Sequence, residues 1–238
     1  MNQNDILKNL SDRTSHAVAH YWNTRYSQRN KQKQSGKADQ GSRGDATGGA
    51  QMAGFIDLFT ELIVKAGIPE EFIFRNKGSV VLPGFFRPTK EWDLLVVRNN
   101  MLVAAIEAKS HVGSFGNNFN NRTEEAIGSA LDLWTAFRER AYLKSPQPFL
   151  GYFFMLEDNV KSIRPVKAKN HISKFFRSLL THHMHADMNY FAENLSSSVI
   201  IHHQRLSLHP QKRGKMVYIT LRQTIYRLTV LQKHLYLM

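Results

Sequence analysis

Cysteine is missing altogether from the 238 residues, which excludes disulfides and thiolate metal sites. Acidic side chains are scarce: 19 Asp and Glu stand against 32 Lys and Arg, a formal charge of +13. Although 42% of the residues are hydrophobic, no run approaches the ~18 apolar residues that a membrane-spanning helix needs. Met1 to Leu10 lacks the charged-then-apolar build of a secretion signal. These absences lead to the expectation of a cytoplasmic protein with one well-filled core, or one domain with an appendage.

What is abundant is positive charge, and it is unevenly spread. Residues 170–238 hold nine Lys or Arg and only Asp187 and Glu193, so this tail carries +7 of the +13. Each cation placed on a phosphate releases counterions, so such an excess favours a polyanionic partner; on charge alone nucleic acid and a merely basic surface both stay open.

Hydrophobic spacing predicts a helix from Asp5 to Tyr26 and a second from Phe55 to Ala66, stopped by Gly67. Between them Gln28 to Gly49 is polar, basic and glycine-rich, a linker by composition or a basic segment that orders on DNA. Ser79 to Leu82 reads as a short strand ended by Pro83-Gly84. Thr123 to Tyr142 reads as a helix capped at Thr123, with Ile127, Ala130, Leu131, Trp134 and Phe137 facing inward. Phe149 to Leu156 is apolar throughout, as suits a strand covered on both faces. The expected architecture is α/β, a mixed central sheet flanked by helices.

The chemistry concentrates on a hairpin. Asp93 to Val97 and Met101 to Ile106 are strand-like runs joined at Asn99-Asn100. A plain two-residue turn sets residue 93 opposite 106, beside Glu107, and strand alternation puts Lys109 on the face of Glu107. Two carboxylates and an amine therefore gather at one end. Hydrolysing a phosphodiester requires a cation on the scissile phosphate and a hydroxide-like nucleophile. Mg²⁺ held by one or two carboxylates supplies both, and a nearby ammonium orients water or stabilises developing charge. Asp93, Glu107 and Lys109 are the candidate catalytic residues, with Asp93 and Glu107 on the metal. Glu61, on the preceding helix, is a candidate further carboxylate.

Ser110 to Arg122 follows directly and holds four asparagines. Asn amides bridge adenine edges or phosphates, and Arg pairs with phosphate or guanine. Ser110, His111, Asn117, Asn118, Asn120, Asn121 and Arg122 are candidate DNA contacts, together with Arg87 and Lys90.

The pattern Asp93 … Glu107-Ala-Lys109 resembles the PD-(D/E)xK nucleases, although Trp92 stands where the family has proline. Three strings resemble a narrower group: Leu82-Pro-Gly-Phe-Phe-Arg-Pro-Thr-Lys-Glu-Trp-Asp93, Ala105-Ile-Glu-Ala-Lys-Ser-His-Val-Gly113, and Ser114-Phe-Gly-Asn-Asn-Phe-Asn-Asn-Arg122. They are similar to the type II restriction endonucleases of the XhoI type, over about residues 16–169. The resemblance implies a restriction-endonuclease-like fold and a homodimer that cuts the palindrome CTCGAG with Mg²⁺. It also implies that Asp93 and Glu107 hold the ion while Lys109 is the catalytic lysine. An Asp stands in the group at the place of Ala53, and a proline often follows the glycine matching Gly113. Two other readings stay open: a catalytically inactive remnant that at most binds DNA, and a nuclease of the same fold with a structure-specific substrate.

From about residue 170 the resemblance stops. His182, His183, His185, His202 and His203 lie in this tail, but histidine pairs alone are a weak zinc signal. Read from the third base of each codon, Asp187 to Leu195 permits Tyr-Glu-Leu-Phe-Cys-Arg-Lys-Leu, a stretch resembling the group's own tail. Asn170 to Ser178 and Ser198 to His203 permit two more, in order and in the same frame. Hence the expected division is a nuclease core over 1–169 and a tail over 170–238 translated out of frame.

Overall fold

The computed structural model describes residues 10–34, 49–113, 115–157 and 159–162, together with the backbone of four short strands at 165–166, 182–183, 203–207 and 213–217. The expected tail division falls largely outside these residues. Two helices open the described chain, α1 (Leu10–Gln34) and α2 (Gly49–Lys65). A 3₁₀ turn (Glu70–Phe72) and strands β1 (Ile73–Phe74), β2 (Val81–Pro83), β3 (Thr89–Glu91), β4 (Leu94–Arg98) and β5 (Met101–His111) follow. Helix α3 (Phe115–Arg138) and strand β6 (Phe149–Leu156) complete the core. The order in the main sheet is β1-β4-β5-β6, with β4 antiparallel to β1 and β5, and β6 parallel to β5. Strands β2 and β3 form a separate hairpin.

The sheet is buried on both sides. On one face Phe55, Leu58, Phe59, Leu62 and Ile63 of α2 pack with Tyr21 of α1 against Leu94, Val96, Ile106 and Phe153. Phe55 and Phe59 both meet the Phe153 ring, at 4.7 and 5.2 Å between centroids. Each such side chain contributes about 1.5–3 kcal/mol on burial, well above the few tenths that helix propensity supplies per residue, so packing fixes α2. On the other face Leu95, Leu102, Ala105 and Leu150 meet Ala130, Leu133 and Ala136 of α3, with Trp92 and Val80 from the β2–β3 region. This mixed four-stranded sheet with helices on both sides is the α/β arrangement expected.

Several boundaries differ from the sequence reading. Helix α1 runs on through the first residues of the expected linker to Gln34, since Gln, Arg and Lys are good helix formers even without an apolar face. Helix α2 starts at Gly49 rather than Phe55, because Gln51 and Met52 are buried too. Helix α3 begins at Phe115, not at Thr123. Phe115 is buried and its ring lies 5.3 Å from His111, an anchor that overrides the poor helix propensity of glycine and asparagine. The inner face of α3 is also turned from the expected one. Of the expected residues, Ala130 is buried and Trp134 and Phe137 pack partly buried against the same core, whereas Ile127 and Leu131 are 44% and 51% exposed, and Ala126, Leu133 and Ala136 are buried as well.

Candidate active site

Asn99 and Asn100 turn the β4–β5 hairpin with φ of 51° and 59°, a left-handed pair that asparagine tolerates. Beyond the turn, Arg98 pairs with Met101 and Val97 with Leu102, as a plain hairpin requires. Then the register slips: Val96 pairs with Ala104, Leu95 with Ala105 and Leu94 with Ile106. Val103 is an extra residue in β5, a bulge. This corrects the expected pairing of residue 93 with 106, and the difference decides the site. Without the bulge, Asp93 would share a face with Ile106 and Ala108, opposite to Glu107 and Lys109. The extra residue turns all three polar side chains to one face, and bulges commonly re-aim side chains in this way.

Asp93 lies where the chain crosses from the β2–β3 hairpin into the sheet. Trp92, buried beside it, donates its N–H to Val80 O at 2.8 Å, and Asp93 donates its own to Ile106 O at 3.1 Å. The Asp93 carboxylate accepts the Ala108 N–H at 2.7 Å. Glu107, only 4% exposed, is flanked by two ammonium groups. Lys109 Nζ pairs with its Oε1, and Lys90 Nζ lies 2.9 Å from its Oε2.

Electrostatics reflect this crowding. Burial, then the charge of Glu107, pushes the Asp93 carboxyl above its usual range, against the Ala108 N–H and the Lys109 and Lys90 charges. For Lys109, burial works to lower the pKa, but the charge and hydrogen bond of Glu107, with Asp93 behind them, hold it above the ordinary lysine value. Tyr152, opposite Glu107 on β6, is pushed upward by burial and by the Glu125 and Glu107 charges, and so stays a neutral phenol. Two repelling carboxylates sunk in one spot form a donor set that a hard divalent cation satisfies. With two protein oxygens, such an ion would keep its other positions for water and phosphate oxygens. Among the described residues no cluster of three or more His, Asp or Glu could hold a metal. Asp93 and Glu107 together offer the oxygen donors that a hard divalent cation takes.

A cleft of about 690 Å³ opens over this pair, lined by Asp93, Glu107 and Lys109 and by Asp57, Arg75 and Lys77 from around it. The carboxylate that α2 offers to the cleft is Asp57, held by Arg75 at 2.7 Å. Glu61, the expected one, is not in the lining and pairs with Arg13 and Lys65. A helical period from Phe55 alone leaves both carboxylates eligible. Ala53 also lines the cleft.

The expected DNA contacts are dispersed. Ser110 is on the opposite face, accepting from Tyr21 OH at 3.1 Å. His111 is buried, with its ring near Phe115 and Phe154. Arg122 pairs with Glu125 at 2.6 Å, and Asn121 is exposed. The side chains of Asn117, Asn118 and Asn120 lie outside the described residues. Arg87 is tied into the β2–β3 turn by Asp132 at 2.9 Å. That turn had no sequence signal beyond Pro83-Gly84. Asp132 also accepts the N–H groups of Phe85 and Phe86 at 2.9 and 2.8 Å. A Cβ at Gly84 would meet Arg87 O and Asp132 Oδ2 at 2.6 Å, so only glycine fits.

A mixed sheet, helices on both faces and a carboxylate-bearing bulged hairpin together make up a restriction-endonuclease-like fold. The family model described as restriction endonuclease XhoI matches residues 31–192, and the chain belongs to that family. It is 52% identical over 141 residues to the type II restriction enzyme BstVI of Geobacillus stearothermophilus, covering 57% of this chain and 62% of that one. With the type II restriction enzyme AbrI of Azospirillum brasilense the identity is 48% over 157 residues, covering 66% and 70% of the two chains. The type II restriction enzyme XhoI of Xanthomonas vasicola is 44% identical over 152 residues, covering 63% and 60%. The matched stretches thus span about three fifths of the BstVI and XhoI lengths. No solved structure matches.

Proposed function

We propose that this chain is a type II restriction endonuclease that hydrolyses duplex DNA at a palindromic site, CTCGAG, as a Mg²⁺-dependent homodimer. The observation that carries the reading is the bulge at Val103, which turns Asp93, Glu107 and Lys109 to one face beneath a cleft whose lining also holds Arg75 and Lys77. When bound there, Mg²⁺ supplies Lewis-acid charge and an activated water. Asp93 and Glu107 hold it. Lys109, kept protonated by Glu107, presents an ammonium to the attacking water or to the charge growing on the phosphate. Buried Asp93 keeps its direction through the Ala108 N–H. Lys77, and Arg75 on leaving Asp57 and Glu70, are the cations of the cleft lining that meet DNA phosphates in this reading.

A two-fold palindrome calls for a two-fold protein. An apolar surface supports that expectation. Phe85 and Phe86, 51% and 64% exposed, are clamped by Asp132 against the stretch of α3 that carries Ile127 and Leu131.

The test is a plasmid with one CTCGAG site. A single Mg²⁺-dependent cut at that site supports the reading, and cuts indifferent to sequence overturn it. Binding without cutting favours a second reading, an inactive remnant whose tail is out of frame from about residue 170. Three ordered tail matches in one shifted frame speak for that reading. Its own check is the gene: third bases incompatible with the shifted strings rule it out.

A further inference from the structure

Lys90 enters the site from outside the sheet. It sits on β3 opposite Leu82, and its side chain is 11% exposed. The ammonium is held on three sides: Glu107 Oε2 at 2.9 Å, Glu91 O at 3.4 Å and the face of the Trp92 ring at 4.5 Å. Lys109 takes the other oxygen of Glu107. Both oxygens of this carboxylate are therefore occupied by cations of the chain itself.

We propose that Lys90 is the resident counter-cation of Glu107, occupying the oxygen that a divalent ion must take and leaving it when the ion enters. The inference rests on reading Asp93 and Glu107 as the metal-holding pair. Each lysine has a different claim to its place. Lys109 is carried on the same strand as Glu107 and takes Oε1, leaving Oε2 free for metal. Lys90 covers that remaining oxygen from a separate hairpin.

The residue type suits the role. Lys109 alone leaves Oε2 of this buried carboxylate without a partner, which is costly, so a second cation fills that place in the metal-free site. Arginine would grip both oxygens in a planar fork, whereas lysine is a single point charge on a flexible four-carbon stem. Like charges a few ångströms apart repel more strongly at a half-buried site than in water, so an ammonium on Oε2 opposes an incoming divalent ion. Lys90 must therefore weaken divalent binding measurably.

Tb³⁺ titration of the full chain tests this, with luminescence sensitised through Trp92 beside Asp93 and Mg²⁺ as competitor. Lys90→Met keeps the stem over the indole and removes the charge, and it should tighten Tb³⁺ and Mg²⁺ binding about tenfold or more. Lys90→Arg keeps the charge and should bind no more tightly than the parent, a contrast that a purely structural role would not produce. Should Lys90→Met melt early, Lys90→Gln repeats the charge removal. Equal or weaker metal binding by the uncharged variants overturns the proposal. Glu107→Gln separates the two levels. If Tb³⁺ binding survives it, the metal-pair reading fails and takes Lys90 with it. If that variant loses binding but Lys90→Met does not tighten it, Lys90 alone is wrong.

Discussion

The backbone N–H of Ala108 donates to Asp93 Oδ2 at 2.7 Å, so the residue between Glu107 and Lys109 fixes the direction of the other carboxylate. The three polar groups of the hairpin are thus one mechanical unit. Glu107 and Lys109 flank the donor on β5, and the bulge at Val103 sets which face they share with Asp93.

Lys109 is the member of this unit that no metal needs as a ligand. Lys109→Ala should lower cleavage of a CTCGAG plasmid by about 10²–10⁴-fold, the usual range for loss of a positioned proton-transfer or charge-stabilising group. Duplex binding, followed by gel shift with Ca²⁺ in place of Mg²⁺, should stay within a few-fold of the parent. Cleavage retained within about tenfold would remove Lys109 from the chemistry.

How much of this was visible beforehand depends on residue chemistry. The Asn99-Asn100 turn was legible because asparagine tolerates positive φ, and β6 because eight apolar residues in a row suit a strand buried on both faces. The bulge was not legible. Leu102, Val103, Ala104 and Ala105 are all buried, and an all-apolar run carries no alternation to mark where one residue is extra. The start of α3 was hidden for the opposite reason. Its first turns are rich in Gly and Asn, and the contact that holds them, Phe115 on His111, crosses a strand-to-helix boundary that the periodicity of neither element marks.

The raised pKa of Asp93 carries a stability consequence whose sign is clear. Both folded and unfolded chains hold this carboxyl protonated well below its ordinary value of 3.8, and there it costs nothing. As pH rises from that value through the raised folded pKa, the native state loses stability relative to the unfolded one. Asp93→Asn, which keeps an acceptor for the Ala108 N–H, should therefore raise the metal-free melting temperature at neutral pH by about 3 °C. The gain should vanish in acid below the ordinary carboxyl range. Adding Mg²⁺ should stabilise the parent and not the variant. A variant that melts lower than the parent at neutral pH in EDTA would contradict the electrostatic account.

Asp132 should be a structural keystone rather than a catalytic group. Its buried carboxylate accepts from Phe85 N, Phe86 N and Arg87 Nε, and burial is outweighed by those donors, so its pKa is lowered. A lowered carboxyl pKa adds stability above the ordinary value, and that stability is lost as pH falls through the folded value. Asp132→Ala strands two backbone donors and should cost about 2–3 kcal/mol in urea unfolding at neutral pH. The deficit should shrink in strong acid, where the parent's carboxyl is protonated too. Gly84→Ala should disturb the same turn, since its Cβ would meet Arg87 O at 2.6 Å. An unchanged unfolding midpoint for both variants would show that the turn is not held in this way.

The outward position of Ile127 and Leu131 is the strongest pointer to a second copy. Periodicity placed them inside with Ala130, yet Ala130 is joined in the buried face by Ala126, Leu133 and Ala136 while these two face out. The larger aliphatics face out on the stretch of α3 that carries Asp132, which holds the Phe85-Phe86 turn. Large apolar groups gathered next to one another on a surface mark an interaction site more than scattered ones do. A stable dimer buries roughly 800 Å² per partner, more than four side chains supply, so this patch would be the centre of the contact rather than its extent. Leu131→Glu sets like charges against each other across a two-fold axis and should raise the dimer dissociation constant by about 100-fold or more. Sedimentation velocity should show the parent as a dimer and the variant as a folded monomer, with circular dichroism unchanged. Cleavage of the palindrome should fall with the dimer population. A variant that sediments like the parent, or a parent that is monomeric at micromolar concentration, would remove this surface from consideration as the subunit contact.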